Sequence, residues 1–105
     1  MHTVDPHLVK WFEAIYANAV AIGDAALAED FDEARFRTHL VIVGAESLGM
    51  MALLHAAKVV EATLGESGDP LPGYGAAILG LAKSLRLLAR APSALAGSAT
   101  FSAAT

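Results

Sequence analysis

The stretch that decides the fold runs from Thr38 to Glu61, THLVIVGAESLGMMALLHAAKVVE. Its apolar residues recur at steps of three and four, the period of an amphipathic helix, and Gly49 offers a bend that divides it into two helices. The core-facing positions predicted for the earlier helix are Ala34, Thr38, Val41, Ala45 and Leu48. Those predicted for the later helix, from about Met50 to Leu64, are Leu53, Leu54, Ala57 and Val60.

The segments on either side predict one helix each. Asp5-Pro6 favours a helix start, because Asp can cap free N–H groups and Pro lacks one. That helix is expected to pass through Gly23 or to restart there, and to end near Glu29, with Asp30 or Asp32 capping the next helix. The buried stripe predicted for the first helix consists of Leu8, Trp11, Phe12, Ile15, Tyr16 and Val20. The last helix follows the loop GESGDPLPGYG, begins near positions 71–75 and ends at about Arg90, before Pro92.

The predicted fold class is all-α, an antiparallel four-helix bundle over residues 1–91, with a short extra N-terminal helix as a variant. A chain of 105 residues is long enough for one core. Residues 92–105 form an Ala/Ser-rich tail for which little fixed structure is expected.

Composition excludes several classes of function. A net charge of −4 argues against nucleic acid as the main partner, and the lack of cysteine excludes disulfides and thiolate chemistry. Glu46, His55 and Lys58 interrupt the longest apolar run, so no membrane helix is expected. The N-terminus lacks a signal-peptide pattern, which favours a cytoplasmic location. No motif indicates a cofactor, and no His/carboxylate spacing supports a metal, so His55 is expected at the surface.

His39 is the candidate catalytic residue. If the assigned core positions face inward, the 100° helical step places His39, Ile42, Val43 and Glu46 on a neighbouring outward face. A neutral imidazole is nucleophilic at pH 7, so an exposed histidine on a rigid helix can accept a group on nitrogen. Gly44 and Gly49 are interpreted as close-packing or bend positions.

The spacing of His39, Gly49 and Leu53 resembles that of histidine-containing phosphotransfer (HPt) domains: a histidine on the second bundle helix, a bend glycine ten residues later and a leucine four residues beyond. The segment AEDFDEARFRTH, residues 28–39, resembles the helix entry before that histidine. The resemblance implies that His39 is a phosphoacceptor, and that the partners are a response-regulator receiver domain and a sensor histidine kinase. It implies a phosphocarrier rather than a turnover enzyme.

Two positions depart from the HPt pattern. Ile42 and Val43 stand where HPt domains usually have a lysine and a glycine, so Arg35, one turn before His39, is the candidate phosphate-assisting cation. Ile42, Val43 and Glu46 are the candidate partner-docking residues, since an apolar outward patch indicates an interface. The alternative is a helix phase shifted by one step, with Ile42 and Val43 in the core.

Two alternative functions stay open. The chain is a degenerate HPt-like module that binds a receiver or kinase without carrying phosphate, or an unrelated helical bundle that dimerises through the same patch. The oligomeric state expected is a monomer or a weak dimer.

Overall fold

The computed structural model describes residues 6–90, with side chains for residues 7–89. This part of the chain is all-helical and contains no strand. Its helices are α1 (Pro6–Leu27), α2 (Phe31–Ser47), α3 (Met51–Leu64) and α4 (Tyr74–Arg90). Each helix packs on the next in sequence, and α1 also contacts α4, less extensively than it contacts α2. The arrangement is compatible with a helical bundle, as the sequence predicted.

The helix ends follow from local chemistry. The Asp30 carboxylate accepts a hydrogen bond from the backbone N–H of Glu33 at 3.2 Å and so caps α2, one of the two caps predicted. Gly49 has φ +70° and Gly65 has φ +74°, a conformation that side chains disfavour. Gly49 therefore supplies the predicted bend between α2 and α3, and Gly65 ends α3 as predicted.

The buried core confirms the helix phase assigned to α2 and α3. In α2 the predicted inward positions 34, 38, 41 and 45 are buried, and Leu48 packs against the core. In α3 the predicted positions 53, 54, 57 and 60 are all buried, together with Leu64. Thr38 is the buried polar residue of this core, and its hydroxyl donates to the Ala34 carbonyl oxygen at 2.7 Å. The core therefore holds α2 in a fixed rotation about its axis.

The predicted stripe of α1 needs a correction. Phe12 and Ile15 are buried as predicted, but Trp11, Tyr16 and Val20 are exposed by 49%, 39% and 51%. The buried stripe continues instead through Ile22 and Ala25. Because α4 contacts α1 only lightly, the Tyr16 and Val20 side of α1 is left uncovered.

No helix in the described range is long and apolar enough to cross a membrane. The Ala/Ser-rich tail predicted for residues 92–105 lies outside the described residues. An extra N-terminal helix before α1 would also lie outside them, since the described range begins at residue 6.

Candidate functional site

His39 lies on the outward side of α2, where the sequence placed it. Its side chain is exposed, as is that of Glu46, two turns further along the helix. Val43 and Phe36 lie one turn after and one turn before His39 and are 46% and 54% exposed. The imidazole is thus reachable from solvent on a helix whose opposite side is anchored in the core.

Ile42 does not belong to this surface, and its predicted outward placement is wrong. Its side chain is only 8% exposed and belongs to the core. Ile42 lies four residues after Thr38 and three before Ala45, both fully buried, so the helical period turns it inward with them. The alternative expectation, that Ile42 and Val43 both lie in the core, therefore holds for Ile42 only, because Val43 is exposed as predicted.

Phe36 is a surface residue that the sequence analysis missed. It is three residues before His39 and seven before Val43, so the three side chains share one side of α2. The same helical spacing that identified Val43 was sufficient to find it. We call Phe36, His39, Val43 and Glu46 the α2 outer face.

Arg35 is occupied by contacts within the chain. Its Nε donates to the carbonyl oxygens of Leu64 and Gly65 at 3.3 and 3.0 Å, and one terminal nitrogen donates to those of Leu64, at 3.0 Å, and Gly68. The other terminal nitrogen forms an ion pair with Asp32 at 3.0 Å. The side chain is only 14% exposed. The guanidinium therefore caps the C-terminal end of α3, and its predicted phosphate-assisting role would require it to leave these partners.

Arg37 is engaged as well. Its Nε donates to a Glu33 carboxylate oxygen at 2.7 Å, and one terminal nitrogen donates to the Asn18 side-chain oxygen at 2.9 Å. The link to Asn18 ties α2 to α1. Neither arginine of α2 is consequently free to neutralise a phosphoryl group on His39.

His55, the other histidine considered from the sequence, is exposed on α3 as expected. Within the described residues, His and carboxylate side chains form no group of three that could hold a metal ion.

Comparison of the chain with models of protein families, with curated proteins and with solved structures finds no match. A function is therefore inferred from the surroundings of His39 and from the spacing of His39, Gly49 and Leu53.

Proposed function

We propose that this chain is a phosphocarrier resembling an HPt domain, with His39 as the phosphoacceptor. The observation that carries the proposal is the exposure of His39 at the middle of α2, between two exposed apolar side chains, Phe36 and Val43. A reactive group on a rigid element beside an apolar patch suits transfer to a docked protein.

The proposed arrangement is an antiparallel bundle of the HPt kind. Three contacts support opposite directions for neighbouring helices. Late in α2, a Cβ on Gly44 would lie 2.7 Å from Ile15 of α1. Earlier in α2, Arg37 donates a hydrogen bond to Asn18, which lies further along α1. Arg35, near the start of α2, bonds the last carbonyl of α3.

In the transfer step, a nitrogen lone pair of the neutral His39 imidazole attacks the phosphorus of an aspartyl phosphate on a receiver domain. The new N–P bond forms as the P–O bond to the aspartate breaks, and its electron pair leaves with the carboxylate. Return of the phosphoryl group to an aspartate reverses this step, and a phosphohistidine of a sensor kinase is a second donor. Because the arginines of α2 are engaged within the chain, we expect the partner to supply the cations that balance the phosphoryl charge.

In a second candidate function, the chain binds a partner protein but transfers no phosphoryl group. In this alternative the α2 outer face binds a receiver or kinase domain, and His39 accepts no phosphate. The observation that favours it is the core position of Ile42, where HPt domains usually have a lysine. The branched, exposed Val43 in place of the usual glycine also favours it, because it narrows the approach to His39.

His39→Gln is expected to abolish phosphate uptake while the chain stays folded. The measurement is the transfer of radiolabelled phosphate from a phosphorylated kinase and receiver pair of the same organism, followed as acid-labile label on this chain. Substitution of an exposed side chain is expected to change the free energy of unfolding by no more than about 0.5 kcal/mol. His55→Gln, on the exposed side of α3, is the matched control and is expected to keep the label.

The outcomes separate the two candidates. Label on the wild type and on His55→Gln, but not on His39→Gln, supports the phosphocarrier. Persistence of label on His39→Gln would exclude His39 as the acceptor. If the wild type takes no label but binds the receiver, and Val43→Glu abolishes that binding, the docking module is the correct function.

A further inference from the structure

A second apolar surface lies away from His39, between α1 and α4. On α1 the exposed side chains are Tyr16, Val20 and Leu27, and on α4 the exposed side chain is Leu79. Leu27 and Leu79 are 86% and 68% exposed, which is a large exposure for leucine. We call these four residues the α1/α4 face.

The members of this face are continuous. Tyr16, Val20 and Leu27 follow one another at steps of four and seven residues, so they form one stripe along α1. Leu27 and Leu79 line a common cleft of about 570 Å³, whose wall is mostly apolar. The same cleft is also lined by Gly23, near the end of α1, and by Tyr74, at the start of α4. The C-terminal end of α1 therefore lies beside the N-terminal end of α4.

The charges that border the face differ in sign between the two helices. Glu13 and Asp24 are exposed beside the α1 stripe, three residues before Tyr16 and three before Leu27. Lys83 and Arg86 are exposed on α4, four and seven residues after Leu79. The last acidic residue of the sequence is Asp69, so α4 carries only positive charges.

These four border charges have no ion-pair partner within the described part of the chain. The ion pairs there join Asp32 to Arg35 and Glu33 to Arg37. Lys10 is also exposed on α1, three residues before Glu13, so the α1 border carries two acidic side chains and one basic side chain. The α1 border is therefore negative overall, and the α4 border is positive.

We propose that the α1/α4 face binds a second copy of this chain in a symmetric dimer. A two-fold axis parallel to the helices places α1 of one copy over α4 of the other, at the same height along the bundle. The α1 border of each copy, which is negative overall, then lies against the positive α4 border of its partner, and the two apolar stripes cover each other. A two-fold axis across the helices would instead place α4 on α4, so that the cations of the two copies would face each other.

The dimer is independent of the proposed phosphocarrier function. It uses α1 and α4, whereas His39 lies on the outward side of α2. Each subunit therefore keeps its α2 outer face open to a partner. A failure of the phosphate-transfer test leaves the dimer unaffected, and a monomeric chain leaves the phosphate-transfer test unaffected.

The test is the mass of the full chain in solution, measured by sedimentation and light scattering from low micromolar to near-millimolar concentration. The wild type is expected to rise from 10.8 kDa towards twice that mass. Two charge-reversed chains, Lys83→Glu with Arg86→Glu and Glu13→Lys with Asp24→Lys, are each expected to raise the dissociation constant at least about tenfold, because like charges then face each other.

Recombination of the variants makes the test specific for this geometry. A mixture of the two charge-reversed chains is expected to form the mixed dimer, since one is now acidic on both borders and the other basic. One chain with all four reversals is expected to dimerise with itself again. Leu79→Glu is expected to abolish the dimer. The matched control is Val59→Glu on α3, where the valine side chain is 41% exposed, and this variant is expected to keep the dimer.

Three results would overturn the proposal. The first is a wild type whose mass stays at 10.8 kDa over the whole concentration range, because the α1/α4 face would then not bind a second copy of this chain. The second is a dimer that tolerates Leu79→Glu and both charge reversals. The third is a dimer that is lost in Val43→Glu or Val59→Glu and kept in Leu79→Glu. Circular dichroism establishes that each variant is folded.

Discussion

Gly44→Val is expected to lower the free energy of unfolding by about 3 kcal/mol. A Cβ at this position would lie 2.7 and 2.9 Å from the Cγ1 and Cδ1 atoms of Ile15, closer than carbon atoms approach in packed proteins. Ile15 is only 3% exposed, so its side chain is covered by protein and cannot turn away into solvent. Valine adds two further methyl groups, and α1 and α2 must move apart to admit them.

Denaturant unfolding followed by circular dichroism measures this effect. Gly44→Ala is expected to cost less, about 1–2 kcal/mol, because alanine adds only the Cβ and regains up to about 1 kcal/mol of helix propensity. The matched control is Gly80→Ala in the interior of α4, where a Cβ meets nothing within 4 Å. That substitution is expected to stabilise the chain by about 0.5–1 kcal/mol. A Gly44→Val chain as stable as the wild type would show that α1 and α2 do not pack closely here.

Local sequence signals account for most of the fold. Asp30, Gly49 and Gly65 mark helix ends through their own backbone chemistry, so the boundaries of α2 and α3 could be read from the sequence. The inward phase of both helices was readable for a related reason. The assigned positions of each helix recur at steps of three and four residues and so fall on one side, although Val43 and Val59 are apolar side chains outside these stripes.

The phase of α1 was harder to predict because apolar residues occur on more than one of its sides. Trp11, Tyr16 and Val20 fit the three- and four-residue steps as well as Phe12 and Ile15 do. The choice between them depends on how closely α4 covers α1, which is a tertiary property with no local signal. Aromatic residues are enriched at interfaces, and here Tyr16 belongs to the α1/α4 face, whereas Trp11 lies outside it.

The candidate site was predictable only in part. His39 and Val43 were correctly placed outward, because their rotation follows from the core positions of α2. Ile42 was misplaced because it stands at the edge of the inward arc, where the packing of the neighbouring helices decides whether a side chain is covered. The carbonyl partners of Arg35 had no sequence signal, since Leu64 lies 29 residues further along the chain.

Arg35→Met is expected to lower the free energy of unfolding by about 2–3 kcal/mol. Methionine keeps much of the apolar stem but removes the donors to the carbonyl groups of Leu64, Gly65 and Gly68. These carbonyls lie at and beyond the C-terminal end of α3, where no backbone N–H replaces the lost donors. Hydrogen bonds from a charged group are also stronger than neutral ones. Thermal and denaturant unfolding measure the loss.

Arg37→Met is the matched control, because it removes the other arginine of α2. That arginine is 37% exposed and loses a surface ion pair with Glu33 and one hydrogen bond to Asn18, so the expected cost is about 1 kcal/mol, less than that of Arg35→Met. Equal losses for the two variants would mean that Arg35 does not fasten α2 to the end of α3.

Phosphate uptake by folded Arg35→Met separates the two roles considered for this side chain. If Arg35 acts only as the cap of α3, label on His39 is expected to persist at a temperature where the variant is folded. If the guanidinium leaves its carbonyl partners to hold the phosphoryl group, uptake falls while Arg37→Met keeps it. The first result, together with label on Arg37→Met, would place the cations needed for transfer on the partner protein, because neither arginine of α2 would then be required.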